Sequence, residues 1–251
     1  MKDKKYIKSF NEYQENLNIS DVINSNFLKE NFENKYKKYF PINSTLNPIL
    51  FDKNSKLYDE VLNDIKKNVD IFINIVNIKK HTNIKDIIVR GSSVNYTYSD
   101  FSDIDIMVVV DNEDFIYDEN IKKIINNYPE IKIKNIECEI SIHTDKGMNL
   151  SNGVYSITKN DWIKKPILQI NDNIDEKFIK TELIRYKKLF RNFFNGFKKG
   201  ELDVEDGWKL SGDIYSKRLK DLKDNGNYNR IFKYLERDGI FKYLFSLIRP
   251  I

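Results

Sequence analysis

Apolar residues recur every three or four positions between residues 55 and 80. Leu57, Val61, Leu62, Ile65, Val69, Phe72, Ile73 and Val76 fall on one side of a helical wheel, so this stretch is expected to be an amphipathic helix opened by Ser55. After Asn83 the rhythm changes. Residues 84–89 are short and β-branched, residues 104–110 are apolar almost throughout, and residues 131–144 alternate, so three strands are expected. In the third, Ile136, Cys138, Ile140 and Ile142 share one face, and Glu137, Glu139, Ser141 and His143 share the other. Arg90-Gly91-Ser92-Ser93 ends the first strand. Residues 94–102 read as a loop or short helix, and 119–127 as a short helix. Helical periodicity returns from Asp175, with helices over 178–199, 205–223 and 228–248. Upstream, Ser20-Asp21 can cap a helix reaching about Phe40, which the segment from Pro41 to Pro48 ends.

This succession implies an α/β (α+β) protein: a small mixed sheet flanked by helices, followed by a helical C-terminal region. The division expected is a helical N-terminal extension over 1–54, a core over 55–174 and a helical domain over 175–251. Charge follows the same division. Residues 176–251 carry 18 Lys and Arg against 11 Asp and Glu, a balance of +7, while residues 1–175 carry 24 against 27, a balance of −3. The formal total of +4 is too mild to announce a nucleic-acid binder.

Composition narrows the chemistry. Hydrophobic residues make up 40% of the 251, enough for a sizeable core. No apolar run is long enough to span a membrane. One cysteine, Cys138, excludes an intramolecular disulfide framework and a four-cysteine zinc site, and two histidines argue against a His-rich metal centre. The N-terminus lacks the apolar stretch of a secretory signal, so a cytoplasmic protein is expected. There is no alanine, whereas Lys, Asn, Ile and Tyr abound, which points to an A/T-biased coding source.

The sharpest chemical feature is Gly91-Ser92, ten intervening residues, then Asp103-Ile104-Asp105. Residues two apart on a strand project from one face, roughly 7 Å apart, so Ile104 and Ile106 are expected to point the other way, into a core. Two crowded carboxylates repel unless a cation lies between them. Hard oxygen ligands in an open site suit Mg²⁺. A Gly-Ser turn can hold a phosphate with backbone amides and a hydroxyl; Gly91, Ser92 and Ser93 are the candidates. A third acid on the next strand would complete the site. Glu139 is the choice, since it leads an apolar alternation, and Glu137 is the reserve.

The pattern of hydrophobic strand, Gly-Ser, about ten residues, Asp-x-Asp within a strand and a later acidic strand resembles the polymerase-beta-type nucleotidyltransferase superfamily. The resemblance covers about residues 55–145. It implies a small mixed sheet with a helix before the Gly-Ser strand, metal carboxylates at Asp103, Asp105 and Glu139, and phosphate binding at Gly91 and Ser92. It further implies two Mg²⁺ ions (Mn²⁺ as a substitute), a nucleoside triphosphate substrate, and a helical domain after the catalytic core that helps hold nucleotide or acceptor. The third acid departs from the commoner aspartate.

The expected reaction moves a nucleoside monophosphate onto a hydroxyl. The basic, aromatic-rich tail favours an RNA 3′ end. The alternatives are a small-molecule or protein acceptor, a synthase joining two nucleotides, or an inactive nucleotide-binding relative. Lys187, with Arg185, Lys188 and Arg191 on the same expected helix, is a candidate for the triphosphate, against a merely solvated helix face. Tyr96, Tyr98 and Phe101, and later Tyr155 and Trp162, suit base stacking or core packing equally. His143 lies on the polar face of its strand, and Cys138 on the core side.

Overall fold

The computed structural model describes residues 32–129, 131–145, 151–168, 174–221 and 226–248. The expected cap at Ser20-Asp21 lies outside them. The chain divides into two compact units. One spans Phe40–Ile170. The described parts of the other are the helix Phe32–Tyr39 (α1) and the helices from Glu176 onward.

The first unit is built on a six-stranded sheet: β1 (Ile84–Arg90), β2 (Ile104–Val110), β3 (Ile131–Ile133), β4 (Ile136–His143), β5 (Val154–Ser156) and β6 (Asp161–Lys164), in the order β3-β4-β2-β1-β5-β6. β2 and β4 run parallel; every other pair is antiparallel, so the sheet is mixed. The central position of β2 explains its composition. From Ile106 to Val110 every side chain is buried, because both faces of a central strand are covered.

The long helix before the sheet is α2 (Asp59–Val76), whose stripe Val61, Leu62, Ile65, Val69, Phe72, Ile73 and Val76 is buried. That stripe joins Val89, Ile104, Ile106, Val108, Ile140 and Ile142 in one core. The helix starts four residues later than expected. Asp52 Oδ1 accepts the backbone N–H groups of Asn54 and Lys56, both at 2.8 Å, and so ties residues 52–56 into a turn in which Ser55 takes φ 63°. Ser55 is thus spent on the turn and does not cap α2. Leu46, Leu50 and Phe51, from the segment after Pro41, also enter this core.

The single strand expected over 131–144 is a hairpin. Lys134 and Asn135 both have positive φ, 51° and 64°, and Ile133 pairs with Ile136. Two consecutive left-handed residues make the two-residue turn that matches strand twist. Two short helices, α3 (Glu113–Tyr117) and α4 (Glu119–Asn126), precede it, capped by the side chains of Asn112 and Asp118. β5 and β6 were not anticipated. They are three and four residues long and are fastened by an aromatic cluster, with Trp162 against Phe51 at 5.3 Å and edge-on to Tyr155 at 5.0 Å. Trp162 Nε1 also donates to the Ser55 carbonyl at 2.7 Å. These two aromatics pack as core.

At the end of β2, Asp111 accepts from the Thr82 hydroxyl, the Asn83 backbone and the Asn83 amide at 2.6–3.1 Å. Those bonds hold its carboxyl down at about 2, and they lock the start of β1 to the end of β2.

The second unit is helical: α5 (Glu176–Lys199), α6 (Val204–Lys220), α7 (Asn227–Arg237) and α8 (Ile240–Ile248), besides α1. Asp175 caps α5, and Gly200 ends it in a left-handed conformation. Asp203 and Asp206 form a reciprocal capping box on α6. The last helix expected is two helices, because Asp238-Gly239 interrupts it, with Gly239 at φ 76°. The buried Asp238 carboxylate accepts Lys35 at 3.3 Å, Tyr39 Oη at 2.9 Å and Lys187 at 2.6 Å, tying α1 and α5 to the break. No helix among the described residues is long and apolar enough to cross a membrane.

Candidate active site

Strand register assembles the acids. In the parallel pairing of β2 with β4, Asp105 sits opposite Glu139, and in the antiparallel pairing of β1 with β2, Arg90 sits opposite Asp105. Ile104 and Ile106 turn to the other face and are fully buried. Asp103, Asp105 and Glu139 each offer a carboxylate oxygen, and these oxygens lie within 4.8 Å of one another. Asp103 and Asp105 are half-buried, while Glu139 is exposed. Glu137, the reserve, pairs in register with Lys132 of the hairpin and is not part of that group.

Gly91 is shaped to this group. It takes φ 91° and ψ −161°, a conformation open essentially to glycine. A Cβ there would fall 2.2 Å from Asp105 Oδ2, so the missing side chain is the space in which the carboxylate sits. Behind Gly91, Ser92–Val94 make a 3₁₀ turn. Ser92 Oγ and Ser102 Oγ share a hydrogen bond of 2.9 Å, which links the turn to the residue before Asp103. Asn95 Nδ2 donates to the Gly91 carbonyl at 3.1 Å, and the Gly91 N–H donates to Ser151 Oγ at 3.3 Å. Asn43 donates to the carbonyls of Tyr96 and Tyr98, so the loop is fixed from outside as well. Ser93 is fully buried, and its hydroxyl has no hydrogen-bond partner among the described residues.

Lys187 belongs to the other unit. It lies on the inward stripe of α5 with Leu183, Tyr186, Phe190 and Phe194, and its ammonium is paired with Asp238 and packed over the Tyr234 ring at 4.8 Å. Arg185 is forked onto Glu182 and lies over Tyr186. Tyr96 packs against the core of the first unit, whereas Phe101 is exposed.

Three carboxylates gathered this closely disfavour one another's charge unless a cation compensates them. The donor set is all hard oxygen, and Glu139 is exposed, which fits Mg²⁺ better than a softer ion. Acids able to hold such an ion beside a turn of backbone amides suit phosphoryl transfer.

Comparison with known families decides which. Residues 69–163 match the family model described as "Nucleotidyltransferase domain". This stretch is a nucleotidyltransferase domain of the polymerase-beta type. The match begins inside α2, ends in β6 and contains the Gly-Ser turn and all three acids of the nucleotidyltransferase domain. No solved structure matches the chain.

Sequence reasoning missed the residues that brace the site. Asn95, Ser102 and Ser151 stand four after Gly91, one before Asp103, and on the far side of the β3–β4 hairpin. Small polar residues in loops carry no periodic signal, and only Ser102 had a telling neighbour.

Proposed function

We propose that the nucleotidyltransferase domain moves a nucleoside monophosphate from a nucleoside triphosphate onto a hydroxyl, with Asp103, Asp105 and Glu139 holding Mg²⁺ ions. The observation that carries this reading is the convergence of the three carboxylate oxygens within 4.8 Å beside the Gly91 turn. Ser92 and the amides of its turn hold the phosphates, and Gly91 lets the nucleotide approach the backbone closely. The bound Mg²⁺ would neutralise charge building on the phosphate oxygens and lower the pKa of the attacking hydroxyl. The hydroxyl oxygen bonds to the α-phosphorus in line with the α–β bridging oxygen, that bond breaks, and pyrophosphate leaves. The hydroxyl proton passes to solvent. Asp105, braced by Gly91, and Glu139, facing it across the strand pair, keep the site in shape through this exchange.

The acceptor we favour is an RNA 3′ end, on the +7 balance of residues 176–251 and the aromatic content of that helical region. The test is incubation with each α-³²P-labelled nucleoside triphosphate and Mg²⁺, with and without total RNA, beside the Asp103→Asn/Asp105→Asn double variant. Label on RNA with the wild type only is the expected result. Label in a new small product without RNA replaces the RNA reading with a nucleotide-joining synthase. No triphosphate consumption in any arm overturns the catalytic reading.

A further inference from the structure

One row of the sheet runs through the acids and out to the edge. Register places Glu139 (β4), Asp105 (β2), Arg90 (β1), Val154 (β5) and Lys164 (β6) side by side, and directly paired residues share a face. The row runs from two acids through Arg90 and Val154 to Lys164 at the outer edge. Three strand spacings of roughly 4.8 Å put the Lys164 backbone about 14 Å from that of Asp105. The Lys164 ammonium donates to the Ser151 carbonyl at 2.7 Å, in the segment that leads into β5.

Ser151 is the link between that ammonium and the Gly-Ser turn. Its buried hydroxyl accepts the Gly91 N–H at 3.3 Å and donates to the Gly153 carbonyl at 2.8 Å. The segment is pressed onto the turn, since a Cβ at Gly153 would fall 2.4 Å from the Val94 carbonyl oxygen. A single residue thus holds both the Gly91 amide and the Lys164 ammonium. Four lysines of this unit, Lys56, Lys85, Lys122 and Lys134, sit against carboxylates. Lys164 has no carboxylate within ion-pair distance among the described residues, and it keeps donors beyond the one given to a neutral carbonyl. An ammonium steered toward the turn and ion-paired with no carboxylate there is placed for an anion.

We infer that Lys164 binds the terminal phosphates of the triphosphate, with Ser151 as the positioning residue that fixes both the lysine and the Gly91 turn. The inference rests on the nucleotidyl-transfer reading above. It gives each end of the triphosphate its own countercharge: cations held by the acids at the reacting phosphate, and Lys164 at the tail.

The test is titration calorimetry in Mg²⁺ with the four α,β-methylene nucleoside triphosphates and with inorganic tripolyphosphate. Wild type is compared with Lys164→Gln, Lys164→Arg and Ser151→Ala, each matched to wild type by circular dichroism and melting. The expected result is a roughly tenfold rise in Kd for Lys164→Gln on the triphosphates and on tripolyphosphate, with Lys164→Arg staying within about threefold of wild type. Ser151→Ala should weaken the same ligands several-fold and speed hydrogen exchange at the Gly91 amide, a change that Lys164→Gln should not produce. Wild-type binding of a triphosphate with no loss in Lys164→Gln overturns the inference and leaves the transfer reading standing. Failure of the wild type to bind any of the five ligands overturns both.

Discussion

The sheet unit and the helical unit differ in how their best-placed carboxylates are surrounded. In the helical unit, acids are matched to cations. Asp238 receives Lys35 and Lys187, Asp213 receives Lys217 and the Tyr186 hydroxyl, and Glu182 receives the Arg185 fork. In the sheet unit, Asp103, Asp105 and Glu139 are drawn to within 4.8 Å of one another by the register of β2 and β4. Matching opposite charges serves the fold, whereas gathering like charges works against it and is kept for chemistry. The contrast singles out the three acids of the sheet unit as the group the proposed chemistry would use.

The strongest test separates activity from stability. Asp105→Asn should lower nucleotidyl transfer about a thousandfold, or about 4 kcal/mol of transition-state stabilisation. Its melting temperature should be unchanged or raised, because one of three crowded charges is gone. Loss of both activity and fold would show that the carboxylate is structural and end the contrast.

The mirror-image test lies in the helical unit. Asp238→Ala leaves Lys187 buried without its carboxylate, and breaking a buried pair from one side costs about 3–5 kcal/mol. The chain has two tryptophans, Trp162 in β6 and Trp208 in α6, so each unit carries its own fluorescent reporter. In a Trp162→Phe background, Asp238→Ala should shift the urea midpoint reported by Trp208 strongly downward. A shift below about 1 kcal/mol would mean that the pair contributes little and that the helical unit rests on its aromatic core.

Gly91→Ala sharpens the comparison inside the sheet unit. The new methyl group must displace Asp105 Oδ2, and φ 91° penalises any side chain. A misplaced reacting group costs on the order of a hundredfold in rate. The expected outcome is that loss in kcat with a melting point only a few degrees lower. Activity near wild type would show that the carboxylate can move freely and that the close fit has no catalytic role.

How much of this was written in the sequence depends on range. The Gly91–Asp105 spacing and the extent of β2 are local patterns, and the structure places them as the sequence implied. The choice between Glu137 and Glu139 was not local, since both share one strand face; the β2–β4 register separates them. Lys187 shows a signal that was present and overlooked. It falls on the Leu183, Phe190 and Phe194 stripe, and a charge on an apolar stripe announces a buried partner. The turn at Lys134-Asn135 was hidden because it lacks the glycine that marks most such hairpins. β5 and β6 are too short for periodicity and exist through the aromatic contacts that Tyr155 and Trp162 make with Phe51, more than 100 residues away in sequence.

The smallest effect expected tests a carboxylate of the sheet unit that serves the fold. Asp111 sits at the end of β2 away from Asp105 and receives three hydrogen bonds from Thr82 and Asn83. Its carboxyl titrates at about 2 when folded, against an ordinary aspartate value of about 3.9 in the unfolded chain. A carboxyl depressed on folding stabilises the native state above the unfolded value, and that contribution fades as pH falls toward the folded one. Asp111→Asn should therefore melt slightly below wild type at pH 7, and the gap should close between about pH 4 and pH 2. Nucleotidyl transfer at pH 7 should stay close to wild type, because the hydrogen bonds lost lie at the opposite end of β2 from the acids. A melting gap that persists unchanged at pH 2 would mean that the substitution acts through packing and not through the charge. A large fall in transfer would show that the two ends of β2 are coupled, and that the division between charges for folding and charges for chemistry does not hold within this strand.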